Sequence, residues 1–331
     1  MLVDEVMPTG TWQAIYTPAM SSPILFTIAS LIWGSTFWAI TLQLGHTAPA
    51  VSVAYRFFLA AAALFAVCIA RRERLSLPWR THRWMALQGG LTFGISYICT
   101  YHAEQHVVSG LVAVMFALMV FWTPIWSRLF FGTAINRRTW TCGAAAMVGV
   151  ALLFWHAIGD AWQAIQAGGN GHFIAGVVLA LAATMASAGG SVVVTKVKQQ
   201  CANLPLTMAW SMLWGASMVT LWSLANGDAF TLPDSGTYWA GLFYLSIFGS
   251  VVAFFAYFTL IARIGANKAV YVTVVTPVLS VLLSVLLEDY RPGALEFLGM
   301  IVCLASVAWA VRAPAPKIVQ SANLNNPIES P

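Results

Sequence analysis

The chain has 331 residues, of which 60% are apolar or aromatic and 8% charged, against roughly 25% charged in an average soluble domain. Its 11 acidic and 16 basic side chains are too few to cover a globule of this size in water, which excludes an ordinary soluble protein and leaves lipid against most of the surface. The net charge of +5 does not point to nucleic acid, because the basic residues are scattered between apolar runs and form no continuous patch. Cys68, Cys99, Cys142, Cys201 and Cys303 have no metal-type spacing, and four of the five fall inside apolar runs. Neither a disulfide framework nor a metal site is indicated, and no cofactor is expected.

In chain order, residues 1–21 carry Asp4 and Glu5 but no Lys or Arg, so this segment is expected to be retained and not cleaved as a signal peptide. Apolar runs follow at 22–43, 49–70, 84–103, 108–128 and 139–156. An outer connecting loop at 157–171 leads to further runs at 172–195, 205–224, 237–261, 268–287 and 293–311, and a tail occupies 313–331. Turn and helix-stopping residues separate the runs, as at Gly45 to Pro49, Gly168 to Gly171 and Asn203 to Pro205. A bilayer crossing takes about 20 residues, so the expected fold is an all-α integral membrane protein of ten transmembrane helices.

The cations orient it. Arg71, Arg72, Arg74, Arg80 and Arg83 lie between spans two and three, Arg128, Arg137 and Arg138 between four and five, and Lys196 and Lys198 between six and seven. Arg263 and Lys268 lie between eight and nine, and Arg312 and Lys317 follow span ten. With ten spans all of these fall on one side, which the positive-inside rule makes cytoplasmic, together with both termini. Arg291 alone sits in an outer loop. Arg56 lies within span two, near its outer end, where it either serves an anionic ligand or snorkels to lipid headgroups.

An offset of 156 residues relates the halves: Gly34 to Gly190, Ser35 to Ser191, Gly90 to Ser246, Gly94 to Ser250, Tyr101 to Tyr257 and Gly143 to Gly299. Five spans per half is an odd number, so the second repeat (172–312) must enter the membrane from the side opposite to the first (22–156). Inverted repeats of this kind place substrate near the midplane between them. Chance matching of small residues in small-rich helices is the competing explanation.

Trp33-Gly34-Ser35-Thr36-Phe37, Tyr55-Arg56-Phe57, Arg263-Ile264-Gly265-Ala266, Val275-Thr276-Pro277 and Leu287-Glu288 followed by Gly299 together resemble the ten-span, EamA-type carriers of the drug/metabolite transporter superfamily, over about residues 22 to 312. Overall similarity is greatest to bacterial aromatic amino acid exporters of the YddG type. One departure is Gly132 in the first half where the second has Glu288.

Several residues are candidates for the transport path. Gly94, Tyr97 and Tyr101 share one face of span three, and Ser250 and Tyr257 stand at matching positions in span eight; the alternative is small-residue helix packing with tyrosines at the interface. Spans one and six offer Trp33, Gly34 and Ser35 against Ser187, Gly190 and Ser191. Most tryptophans fall at span ends as an interfacial belt, whereas Trp33 lies mid-span and its indole N–H needs a partner. Pro124 and Pro277 would free the carbonyls of Val120 and Thr273, as hinges beside a cavity or as static kinks. Thr273 and Thr276 add hydroxyls there, and Met115 and Met119 share a face of span four that either lines the path or packs in the core.

Glu104, Glu288, Asp289 and Glu296 all lie near outer span ends, so a carboxylate at mid-depth, the usual proton carrier, is not expected. His102 is the deepest of the outer histidines, with a solvated loop end as its ordinary environment. Scarce buried charge disfavours phosphorylated substrates and suits a zwitterion or a weakly hydrated cation. No GxSxG, HExxH or P-loop pattern occurs, which argues against an enzyme. The reading is a small-molecule transporter of a bacterial inner membrane, embedded in lipid and acting by alternating access as a facilitator or uniporter; the sequence does not set the oligomeric state, and a monomer is compatible with it. The resemblance implies export of aromatic and other bulky neutral amino acids; the alternative is efflux of aromatic drugs or quaternary cations.

Overall fold

An apolar run in lipid satisfies its backbone N–H and C=O groups by coiling on itself, and every described element of the computed structural model is helical. The structure describes residues 20–135, 137–155 and 172–311, with Gln163 and Gln166. Most of the N-terminal segment and of the 157–171 loop, together with His156, Arg312, Lys317 and the tail at 313–331, lies outside the described residues.

The first half contains α1 (Ser22–Thr41), α2 (Pro49–Ala70), α3 (Trp79–Gly89), α4 (Ser96–Ala103), α5 (Ser109–Phe116), α6 (Met119–Phe131) and α7 (Arg137–Leu153). The second contains α8 (His172–Gln200), α9 (Leu204–Ala225), α10 (Gly236–Tyr244), α11 (Ala253–Ile264), α12 (Ala266–Ala269), α13 (Val272–Leu287) and α14 (Ala294–Val311). Six continuous helical stretches are long and apolar enough to cross a membrane, and a seventh if α5 and α6, bent by 41°, count as one. Trp140–Leu153 and Ala294–Ser306 are shorter apolar helices. The protein is thus an all-helical membrane protein with six to seven full-length candidate spans among the described residues.

Two irregularities recur at related positions. A π-turn over Gly90–Ile95 joins α3 to α4, and another over Leu245–Val252 joins α10 to α11; an offset of 156 carries Gly90 to Ser246 and Ile95 to Val251. A π-turn inserts one residue and takes carbonyls off the regular ladder. The second irregularity is a break that precedes each mid-helix proline by the same interval. Val120 and Phe121 donate to the carbonyls of Ala117 and Leu118, three residues back, and Thr273 and Val274 donate likewise to Val270 and Tyr271. Each tightened turn lies ahead of a Thr-Pro pair, Thr123-Pro124 or Thr276-Pro277. The threonine hydroxyls donate to Met119 and Val272 carbonyls at 2.7 and 2.9 Å. The prolines are three residues out of register with the 156 offset, and the breaks move with them, so the missing proline N–H sets the bend locally.

Packing follows the same exchange. The longest contacts run between α2 and α9 and between α7 and α14; α1 packs on α11 and α13, while α8 packs on α3–α4 and on α6. Glycine permits the α7–α14 crossing, since a Cβ on Gly149 would fall 2.5 Å from the Cys303 amide nitrogen and one on Gly299 would fall 2.7 Å from the Gly149 carbonyl oxygen. Gly132 ends α6 in the left-handed region at φ 68°, whereas Glu288, ending α13, accepts a 2.7 Å hydrogen bond from Ser109. The two halves therefore close these corresponding ends by different chemistry, which accounts for the sequence departure there. A Gly149→Leu substitution is expected to force the two helices apart and lower stability by about 1–3 kcal/mol, the usual range for overpacking. Thermal unfolding in detergent measures it, and an unchanged midpoint would show that the helices do not approach this closely.

Candidate functional site

A small cavity lies among α1, α4, α5–α6, α8, α11 and α13. Trp33, Thr36, Phe37 and Ile40 come from α1, Tyr97 and Thr100 from α4, Phe116 from α5 and Met119 from α6. Ser187 of α8, Phe254 and Tyr257 of α11, and Thr273 and Thr276 of α13 complete the wall. Its volume of about 50 Å³ holds a few water molecules at most. The lining is aromatic rings with hydroxyls and no ionisable acid or base other than the two tyrosines.

Trp33 organises this wall. Its ring centroid is 4.9 Å from those of both Phe254 and Tyr257, near the spacing that aromatic pairs favour. Its indole Nε1 donates at 3.2 Å to the Gly249 carbonyl, a group within the second π-turn. The partner that a mid-span indole requires is thus supplied by a backbone irregularity in the other half.

Seven residues anticipated from sequence meet here: Trp33, Tyr97, Met119, Ser187, Tyr257, Thr273 and Thr276. Others sit elsewhere. Gly34 faces Leu279 of α13, where a Cβ would fall 2.7 Å from Leu279 Cδ2, and its carbonyl accepts from Ser280 at 2.6 Å. Ser35 pairs with the Tyr244 hydroxyl at 2.5 Å. Gly94 lies against Gly215 of α9, and Gly190 against Thr92. Ser191 bonds back to the Ser187 carbonyl at 2.9 Å, and Met115 is fully buried in the core. Gly34 and Gly190 stand where a Cβ would collide with Leu279 and Thr92, a close helix approach, whereas Gly94 has room for one. Thr36, Phe37, Ile40, Thr100, Phe116 and Phe254 were missed, because a helical face in an apolar span carries no contrast that marks which side meets a cavity.

Tyr101 and Ser250 belong to a polar cluster around Arg56, and here the snorkelling alternative is corrected: Arg56 is 0% exposed. It stands seven residues into α2 with helices on all sides, so its guanidinium cannot reach the surface. Its Nε donates to Ser250 Oγ at 2.9 Å, and its two terminal nitrogens approach the Tyr101 and Tyr97 hydroxyls at 3.4 and 3.5 Å. The guanidinium carbon lies 4.6 Å from the Tyr97 ring centroid, a cation–π distance. Tyr101 in turn donates to Gln43 Oε1 at 2.7 Å, and Ser250 donates to the Leu245 carbonyl at 2.9 Å. The cluster ties α1, α2 and α4 to the second π-turn.

Glu104 ends α4 as expected, yet it is buried at 8% exposure and neither carboxylate oxygen has a hydrogen-bond partner. His102 is half-buried, its Nδ1 2.8 Å from the Ile98 carbonyl and its ring edge-on to Trp222 at 6.0 Å. At the opposite end of the molecule a larger cavity of about 520 Å³ opens among α8, α9 and α11, with Lys198 and Arg263 on its wall. Phe258 lines it as well, its ring tilted by 55° against Phe254 of the central wall at a centroid distance of 5.3 Å, so these two rings stand between the two spaces. Tyr101→Phe is expected to strip Arg56 and Gln43 of a shared hydroxyl and cost about 1–3 kcal/mol, read as a lowered unfolding midpoint in detergent; an unchanged midpoint would show that the hydroxyl holds nothing.

The model of the EamA-like transporter family matches the chain twice, over residues 20–155 and 174–312. The "uncharacterized inner membrane transporter YedA" of Escherichia coli (strain K12) is 28% identical over 283 residues, covering 84% of this chain and 86% of that protein. "Protein PagO" of Salmonella typhimurium is 25% identical, covering 83% and 86%. The "probable amino-acid metabolite efflux pump" of Escherichia coli is 23% identical, covering 86% and 92%. A solved crystal structure aligns with a TM-score of 0.62 at 19% identity, covering 87% of this chain and 96% of its own, a likeness of fold. These relatives carry the assignment to the family at large and do not single out the YddG-type exporters. The chain belongs to the EamA-like transporter family and is a membrane transporter, not an enzyme.

Proposed function

We propose that this protein exports aromatic and other bulky neutral amino acids across a bacterial inner membrane. The central cavity carries the reading: aromatic rings of Trp33, Tyr97, Phe254 and Tyr257 beside the hydroxyls of Ser187, Thr273 and Thr276, with no Lys, Arg, Asp or Glu in the wall. Such a lining accepts a flat apolar side chain and offers weak polar contacts beside it. One relative's name refers to amino-acid metabolite efflux and another's to the inner membrane, which agrees with this substrate class and location.

In this account the bundle comprises ten spans as two inverted five-helix repeats, 22–156 and 172–312, with 157–171 outside and residues 1–21 and 313–331 in the cytoplasm. The paired π-turns, the paired proline breaks and the exchange-symmetric packing support the repeat. The basic end with Lys198 and Arg263 is then cytoplasmic, and the large cavity there is the inner vestibule. The central space of about 50 Å³ must expand to admit an amino acid. Rocking of one repeat against the other, with Pro124 and Pro277 as bends, widens it and exposes it alternately. Transport runs down the substrate gradient, and an imposed pH gradient is not required.

Purified protein in liposomes loaded with labelled Phe, Trp or Tyr tests this directly. Saturable flux with counterflow is expected, and no specific flux of any of them would remove the substrate assignment; strict dependence on a pH gradient would overturn the facilitator reading. Trp33→Ala deletes two aromatic contacts of about 0.5–1.5 kcal/mol each and is expected to cut flux roughly tenfold while insertion is unchanged. Full activity would make Trp33 a packing residue. For topology, a cysteine introduced at Ser76 is expected to label only from the cytoplasmic side and one at Asp234 only from outside.

A further inference from the structure

The polar cluster above the central cavity is incompletely satisfied in a specific way. Arg56 is fully buried, yet its hydrogen bonds all go to neutral hydroxyls, and those to Tyr101 and Tyr97, at 3.4 and 3.5 Å, are long beside the roughly 2.7–2.9 Å of charge-assisted bonds. Gln43, 1% exposed, uses its carbonyl oxygen for Tyr101 and leaves its Nε2 without a partner. Glu104 leaves both oxygens without one. A buried ion without a close counter-ion costs several kcal/mol and a buried polar group without a hydrogen-bond partner costs as well, so the Arg56 guanidinium, the idle Glu104 carboxyl and the idle Gln43 amide in one region need an explanation.

They share a location. Tyr97, Thr100, Tyr101 and Glu104 follow one another at spacings of three, one and three residues on one face of α4 and its C-terminal cap. Tyr97 and Thr100 line the central cavity, Tyr101 contacts both Arg56 and Gln43, and Glu104 lies a rise of about 4.5 Å beyond Tyr101. Helix α2, which carries Arg56, packs on α4, which Glu104 caps, and a second carboxylate, Glu288, ends α13. Glu288 is already engaged by Ser109, so Glu104 is the carboxylate left idle. The Arg56 and Gln43 groups and the idle Glu104 carboxyl therefore all adjoin α4, whose Tyr97 and Thr100 line the cavity, while the three side chains themselves lie just behind that lining.

We propose that Arg56, Gln43 and Glu104 form a headgroup subsite for a zwitterionic α-amino acid, with the substrate carboxylate received by Arg56 and Gln43 and its ammonium by Glu104. The subsite rests on the amino acid reading of the central cavity and sharpens it: the side chain lies among Trp33, Phe254 and Tyr257, and the backbone points toward α2 and the end of α4. Tyr97 stands between the two, its ring over Arg56 and its other side on the cavity. Entry of the zwitterion would replace the two long tyrosine contacts of Arg56 with charge-assisted bonds and give Glu104 its missing partner. Neither a quaternary cation nor a simple organic acid fills both halves.

The test uses the full-length protein in lipid nanodiscs and competition of labelled L-phenylalanine by L-phenylalanine, 3-phenylpropionate, which lacks the ammonium, and phenethylamine, which lacks the carboxylate. Wild-type protein is expected to prefer phenylalanine to both by about tenfold or more, the loss that follows one missing charge-assisted bond. Glu104→Gln is nearly isosteric and disrupts no hydrogen bond of the carboxyl, so the fold is expected to be kept; it is expected to erase the preference over 3-phenylpropionate and keep that over phenethylamine. Gln43→Leu, and Arg56→Lys where bidentate geometry is lost, are expected to narrow the preference over phenethylamine instead. Phenylalanine binding with unchanged preferences in the variants would overturn the subsite and leave the substrate reading standing. Phenethylamine binding more tightly than phenylalanine would overturn it in favour of a cation site. No phenylalanine binding by wild-type protein would overturn both.

Discussion

In a lipid-embedded bundle every polar group in the interior must find its partner within the protein, and the architecture follows from how that requirement is met where the helices depart from regularity. The second π-turn takes carbonyls off the ladder, and Trp33 and Ser250 take up two of its carbonyls, at Gly249 and Leu245. Ser250 in turn receives Arg56. One backbone irregularity in the second half thereby fixes the central tryptophan and the buried arginine of the first. The proline breaks behave similarly, with tightened turns and threonine hydroxyls serving backbone carbonyls ahead of Pro124 and Pro277.

The tightened turns also border the cavity, through Met119 and Thr273, and the second π-turn is joined to its wall by Trp33. Regular helices present only side chains to one another, whereas a widened or tightened turn presents backbone as well, and it repacks with less loss of hydrogen bonding. A transporter needs its interior to hold two packings of similar energy. The extensive contacts of α2 with α9 and of α7 with α14 supply the firm frame that the proposed rocking requires. In that proposal the cavity beside Lys198 and Arg263 is the open mouth of the path and the closed polar cluster around Arg56 stands toward the other.

Much of this was legible in the sequence, for physical reasons that differ by feature. Apolar runs of span length force helices in lipid, so the helical segments emerge from composition alone, although the run at 84–103 begins in the structure at Trp79 and those at 108–128 and 268–287 are broken. The small-residue pairs spoke equally for packing and for a path; Gly34 and Gly190 lie at close helix approaches outside the cavity lining, while Trp33 stood out because an indole within a span needs a partner. Phe37, Phe116 and Phe254 gave no signal, since in an apolar helix every face is hydrophobic. Arg56 was the plainest signal and the hardest to interpret: a cation within a span must either reach water or be enclosed, and only the packing of α1, α4 and the second π-turn around it decides between them. Glu104 falls at the end of its helix as its sequence position suggests, yet its burial depends on neighbours that sequence does not position.

The central claim is that an aromatic amino acid occupies the space between Trp33 and Tyr257 during transport. A cryo-electron microscopy structure of the full-length protein in nanodiscs with saturating L-tryptophan addresses it most directly. The account predicts density for the indole within contact of Trp33 and Phe254 in a cavity enlarged beyond its present volume of about 50 Å³. Density confined to the vestibule beside Lys198 and Arg263, with the central rings still closed upon one another, would contradict it.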